Sequence, residues 1–181
     1  MFSKFLQQKK AQRRLDDLAA NLYVSTVNHA RNPVFFRDLG VPDTIDGRFE
    51  MIALHAHLVM RRLKDLDVAG AKLAQAYFDA MFHDMDRNLR ELGVSDMAVG
   101  KRMKKMLQGF YGRVAAYDKG LSSTDCEQLQ AAIGRNVYGT VETQQASLRA
   151  MAKYANAVVD RLASYDIAAF EKGAVNFPLP D

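Results

Sequence analysis

The sequence predicts an all-α protein, a single-domain bundle of about six or seven helices, and three observations carry that expectation. Apolar residues recur at three- and four-residue intervals along nearly the whole chain, as they do where helices bury one stripe each. The four prolines, Pro33, Pro42, Pro178 and Pro180, leave the long stretch between Pro42 and Pro178 free of helix-breaking residues. Hairpin signals between alternating strands are missing, and the one Asp-Gly pair, Asp46-Gly47, runs straight into a helical pattern. A chain of 181 residues with 49% hydrophobic content, ten Phe and seven Tyr can fill one core and is not a disordered tail.

The first helix is expected from about Ser3 to His29. It begins with Lys4, Lys9, Lys10, Arg13 and Arg14 and then turns amphipathic through Leu15, Leu18, Ala19, Leu22, Tyr23 and Val27. Asn32-Pro33 closes it, because the residue before proline disfavours helix. A short turn then carries Val34, Phe35 and Phe36 into the core, and Gly40 suits a helix C-terminal cap. Phe35, Phe36 and Phe49 are expected to anchor the Gly40–Gly47 loop. Asp43 or Thr44 caps the next helix, with Asp46 and Glu50 near its positive end. That helix has two apolar stripes, one through Ile52, Ala56, Val59, Leu63 and Leu66 and one through Met51, Leu54 and Leu58, so it is central. Further helices are expected over about Gly70–Leu92, from a Ser95 cap to about Tyr117, from a Ser123 or Thr124 cap to about Val137, and along Leu148–Leu162. A short last helix follows an Asp166 cap. The domain takes in 1–181, with 1–21 as a basic N-terminal helix part and 174–181 as an extended tail.

Charge and cysteine content narrow the function classes. The formal net charge is +4 and the pI about 9.2, which permits a polyanionic or membrane-surface partner without requiring one. The lone Cys126 rules out an intrachain disulfide, and Asp125 and Glu127 beside it disfavour a reactive thiolate. No apolar run approaches the ~18 residues of a membrane span, and Met1–Leu6 has no secretory-signal pattern. The expected location is cytoplasmic, with peripheral contact at the inner face of the plasma membrane left open.

Catalytic and metal chemistry find little support. His55 and His57 lie about 200° apart around a helix and cannot share an ion; His55 reads as a core histidine and His57 as a surface one, on a polar face with Glu50, Arg61 and Lys64. Asp79, His83 and Asp86 fall on one helical face, but Arg87 and Arg90 beside them favour ion pairs over a metal. No G-x-S-x-G elbow and no Glu-x-x-His pairing occurs. Neither an enzyme nor any cofactor or metal site is expected. More distinctive is a basic face formed by Lys101, Lys104, Lys105 and Gln108, with Gly109 and Gly112 beside it. Glycine costs about 1 kcal/mol against alanine in a helix interior, so these two suggest close approach by another backbone. Of the nine methionines, Met60 is the candidate for exposure. The basic start, with Phe2, Phe5 and Leu6 as a small apolar side, could meet an acidic membrane or ribosomal RNA; the aromatic-interleaved patterns of sequence-specific nucleic-acid modules are absent, and no DNA partner is expected.

Several blocks resemble a known family. They are Arg31-x-Pro33-x-Phe35-Phe36; Leu39-Gly40-Val41-Pro42-Asp43-Thr44-x-Asp46-Gly47-Arg48-Phe49-Glu50; Leu54-His55-x-x-Leu58-Val59-x-Arg61-Arg62-Leu63; Phe78-Asp79-x-Met81-Phe82-x-Asp84-Met85-Asp86; and Phe110-Tyr111-Gly112-Arg113-x-x-x-Tyr117. They are similar to the ubiquinol–cytochrome c chaperone family, assembly factors for respiratory complex III, over roughly Leu22 to Leu121, with a weaker likeness to the end of the chain. The resemblance implies an assembly chaperone, not a catalyst, with newly made cytochrome b as client and with membrane-surface and ribosome contacts as further expectations. The alternatives are a membrane-surface adaptor using the basic N-terminal helix and, with less support, a metal-binding protein. The expected partner surface combines Arg61, Arg62, Lys101, Lys104 and Lys105.

Overall fold

The computed structural model describes residues 2–139 and 141–180; the side chains of Phe2 and Ser3 lie outside that description. Helix α3 (Ile45–Lys64) is the axis of the molecule. Every residue from Met51 to Met60 is buried, so the helix is covered on all sides, as its two apolar stripes require. The cover comes from α1 (Phe2–Ala30), α4 (Val68–Glu91), α5 (Asp96–Leu121) and α7 (Gln145–Ala163). Helix α6 (Cys126–Asn136) bridges α5 and α7, and two short helices, α2 (Pro33–Arg37) and α8 (Ile167–Phe170), close the corners. The expected all-α bundle is what forms, with no strand among the described residues.

Local chemistry explains where the boundaries shift. The expected turn at Val34–Phe36 is instead α2: the Asn32 side chain accepts from Val34 N at 3.1 Å, and Pro33 sits at the first helical position, where its fixed φ is an advantage. Gly40, at φ +69°, then reverses the chain as expected. Thr44 Oγ1 accepts from Gly47 N at 3.1 Å and caps α3, while Asp43 pairs with Arg48. Helix α4 starts before Gly70 because Asp67 takes both the Ala69 and Gly70 N–H groups. Helix α5 runs on past Tyr117 to Leu121. Ser95 stands at its N-cap position but makes no side-chain cap bond. Asp125, rather than Ser123 or Thr124, caps α6 through Glu127 N.

The core tightens where α1, α3 and α7 meet. Tyr154 Oη lies 2.8 Å from His29 Nε2 and 2.6 Å from His55 Nε2, and His55 Nδ1 lies 2.7 Å from Met51 O. A carbonyl only accepts, so His55 carries its proton on Nδ1. Its Nε2 then accepts from the Tyr154 hydroxyl, and His29 Nε2 donates to the Tyr154 oxygen. His55 is therefore the satisfied core histidine its apolar surroundings imply. Phe35 packs edge-on to both histidines, and Phe177 stacks on His29 with ring centres 4.7 Å apart. The C-terminal tail is extended, as expected, yet anchored: Val175 N donates to Ser25 Oγ and Asn176 N to Tyr165 Oη. Asp181 lies outside the described residues.

Candidate functional site

A groove of about 530 Å³ opens between α3, α4 and α5. Met60, Ala74, Phe78, Phe110, Tyr111 and Val114 supply its apolar wall. The wall continues as an aromatic seam, in which Phe78 stacks near Phe82 (4.5 Å) and Tyr111 (6.1 Å), while Phe82 meets Phe110 edge-on at 6.0 Å. Phe78, Phe82, Met103, Met106 and Leu107 are all half-buried, and Tyr111 is exposed. The α4–α5 contact thus leaves polarisable and aromatic surface on show, the kind that adapts to irregular apolar partners.

The other end of the groove is charged. Asp118 Oδ1 stands 3.3 Å from His57 Nε2 and 3.5 Å from Arg61 Nε. The His57 contact is too poorly aligned to count as a hydrogen bond, so its Nε2 remains a buried polar atom without one. The Asp118 carboxyl is held below the usual carboxylate range, chiefly by His57, with Arg61 and Lys64 adding and partial burial opposing. His57 is buried, contrary to the surface position expected for it, because α3 is enclosed around its whole circumference. Met60, expected to be exposed, is 4% exposed for the same reason. Glu50, on the same supposedly polar face, is buried in an ion pair with Arg113. Arg113 Nε donates to Glu50 Oε2 at 2.6 Å, and Nη2 donates to Oε1.

That pair also accounts for one of the two glycines. A Cβ on Gly109 would stand 2.7 Å from Arg113 Nη1, so Gly109 makes room for an internal guanidinium and not for another backbone. Gly112 faces open space, with no atom within 4 Å of where its Cβ would be.

The five expected partner residues separate into two places. Arg61 is half-buried on the groove's rim. Arg62 turns inward and donates twice to the Tyr165 carbonyl, from Nε at 2.9 Å and Nη2 at 2.7 Å, so it ties α3 to the turn between α7 and α8. Lys101, Lys104 and Lys105 are all exposed on the first half of α5. Asp118, which Arg61 meets, lies roughly 20–25 Å farther along that helix at 1.5 Å per residue. The structure therefore does not bring the arginines and the lysines into one patch; the aromatic seam runs between them. The seam escaped sequence reasoning because Phe78, Phe82 and Tyr111 lie at the edges of their helices' buried stripes. The adjacent aromatic pair Phe110-Tyr111 was its one visible signal.

Asp79, His83 and Asp86 do not converge. Asp79 accepts from Gln75, Asp86 pairs with Arg90 at 2.6 Å, and His83 is exposed. Among the described residues no group of three or more His, Cys, Asp or Glu could hold a metal ion. None of the described helices is long and apolar enough to cross a membrane.

Fold and groove together define an all-helical bundle with an open, partly aromatic groove between α3, α4 and α5. The chain belongs to the ubiquinol–cytochrome c chaperone family, whose model matches residues 37–177. The match takes in the weaker stretch after Leu121 and begins just after Arg31-x-Pro33-x-Phe35-Phe36. The chain is similar to the Cbp3 homolog from Brucella abortus, at 34% identity and a TM-score of 0.82, over 98% of this chain and 97% of that one. It is 25% identical to the ubiquinol–cytochrome-c reductase complex assembly factor 1 of Xenopus laevis over 82% of this chain and 74% of that protein. Against the human protein of the same name it is 28% identical over 66% of this chain, and the match spans only 40% of the human protein's length.

Proposed function

We propose that this protein is an assembly chaperone that holds newly made cytochrome b and promotes assembly of ubiquinol–cytochrome c reductase, binding its client without catalysing a reaction. The observation that carries the reading is family membership over residues 37–177, joined to relatives named as assembly factors of that complex. The groove supports it, since a newly made membrane subunit presents apolar helices, and a wall of Phe78, Phe110, Tyr111 and Val114 offers them cover. On this reading the protein works on the cytoplasmic side, at the inner face of the plasma membrane. Ribosome contact belongs to the same proposal and is checked by cosedimentation with ribosomes.

The client surface we assign runs from Arg61 at the groove's rim, with Arg62 fixing the end of α3, to Lys101, Lys104 and Lys105. Exposed charges of this kind govern encounter and salt sensitivity more than final affinity. The test is a pull-down by the tagged full chain from membranes of the source cell, with loss of the gene scored for cytochrome b content. The expected result is cytochrome b in the captured fraction and less of it in cells lacking the gene. Changing Lys101, Lys104 and Lys105 together to Glu should leave the fold intact and lower cytochrome b accumulation. Normal complex levels with that folded triple variant would move the client surface elsewhere.

A further inference from the structure

A second cavity, remote from the groove in the fold, is built from the α1–α2 junction, α2 and the start of α3. It measures about 490 Å³ and is lined by Arg31, Pro33, Phe36, Arg37, Asp43 and Arg48. Three guanidinium groups thus border one hollow that has a single carboxylate in its lining. Arg37 is steadied by Asp38 through Nε at 2.6 Å and Nη2 at 2.7 Å, and Arg48 by Asp43 through Nε at 2.6 Å. Those bonds orient the two forks and leave other N–H donors free. Arg31 makes no ion pair among the described residues. Packing explains Phe35 and capping explains Thr44, but neither gives a reason for three exposed arginines around one hollow. Guanidinium forks match the oxygens of phosphate.

Helix α1 extends that chemistry. Residues Lys4 to Arg14 are exposed on every side, so the helix overhangs the bundle. The overhang carries Lys4, Lys9, Lys10, Arg13 and Arg14 and no acid before Asp16. Phe5 and Leu6 are 51% and 52% exposed, and Lys9 lies over the Phe5 ring. Arg13 and Arg31 are eighteen positions apart, as are Leu6 and exposed Val24, which is about five full turns. Arg31 N still bonds Val27 O, so the helical register holds to that point. Leu6, Arg13, Val24 and Arg31 therefore share one outer stripe, and the stripe leads to the arginine cavity. Asp16 and Asp17 interrupt it midway.

We propose that the cavity seats the phosphate of an anionic phospholipid headgroup, with the outer stripe of α1 lying along the same bilayer surface. Leu6 and Val24 between cations, with half-exposed Phe5 beside them, suit an interfacial helix, whereas single-stranded RNA calls for a succession of aromatic platforms and only Phe36 borders the cavity. The site goes beyond client holding: lipid binding is read on the protein alone, so its failure and the failure of client capture are separate results.

The experiment is flotation of the full chain with vesicles of phosphatidylcholine, with or without phosphatidylglycerol. The expected result is flotation only with phosphatidylglycerol. The combined Arg31→Gln, Arg37→Gln and Arg48→Gln variant should lose on the order of a hundredfold in partitioning, since each basic residue near a charged bilayer contributes about fivefold. Replacing the exposed cations Lys119 and Arg149, which belong to neither the cavity nor the client surface, by Gln should leave flotation unchanged. Should the triple arginine variant fail to fold by circular dichroism, Arg31→Gln alone, which breaks no ion pair, carries the test with about a fivefold loss. The proposal is overturned by equal flotation of the cavity variants and the native protein, or by binding that ignores phosphatidylglycerol. It is equally overturned if poly(U) RNA displaces the vesicles, or if inorganic phosphate raises the melting temperature through the same arginines while vesicles do not bind.

Discussion

Burial pushes the His55 ring down to about 3, and the same cause lowers His29. Both rings are neutral in the fold. Between the ordinary histidine value and the depressed one, the unfolded chain takes up protons that the folded rings refuse. Their contribution to stability is therefore complete above about pH 6.5 and is lost as pH falls, at up to ~1.4 kcal/mol per pH unit per ring. Urea unfolding at about pH 7 and about pH 5.5 should show this loss before most carboxylates titrate, and His55→Gln should flatten it; equal stability at both pH values would count against the neutral pair. Phe35, fully buried against these rings, should cost about 3–5 kcal/mol when cut to alanine. Half-buried Phe36 should cost clearly less, which paired thermal melts will show. Glu50 and Arg113 make a second test. Removing one partner strands a largely buried charge and should cost about 3–5 kcal/mol, while exchanging both for Met and Leu should recover most of that loss in denaturant titrations.

At the level of elements, two glycines of α5 predict opposite outcomes. Gly112 faces open space, so Gly112→Ala should stabilise by up to about 1 kcal/mol. A Cβ on Gly120 would fall 2.6 Å from Leu129 Cα, where α5 and α6 pack backbone to backbone, so Gly120→Ala should destabilise by roughly 1–3 kcal/mol. Melting temperatures that move the same way in both variants would contradict this account of the α5–α6 corner. The helices themselves were legible in the sequence because burying one stripe leaves a period that any reader can count. The doubly striped α3 announced its central place in the same way. What the period could not convey was a helix buried all round, so His57 and Met60, off its stripes, were misplaced. Helix α2 carries no such signal, because a proline after a helix reads as punctuation, whereas here it opens a new turn behind Asn32. The groove depended on how α4 and α5 lean together, and the Glu50–Arg113 pair on two residues 63 positions apart meeting in space; neither leaves a local trace. The cations of α5 and the arginines of α3 were each visible, but their separation along α5 was a matter of length, which needs the packed helices to be seen.

For the molecule as a whole, the tail deserves the same weight as any helix. Removing residues 174–180 takes Phe177 off His29 and His55, and amide exchange at the C-terminal end of α1 should rise while exchange in the middle of α3 changes little. Protection of α1 unaltered by the deletion would mean that the tail is an ornament to the core and not part of it. The link between Ser25 and Val175 joins positions 150 residues apart. A ribosome delivers the first of these long before the second, so the Ser25–Val175 link and the Phe177 cover of His29 form only once the 174–180 segment has emerged. The growing chain and the finished one therefore present different surfaces at the C-terminal end of α1, and the order of translation, as much as any contact energy, decides when the fold is complete.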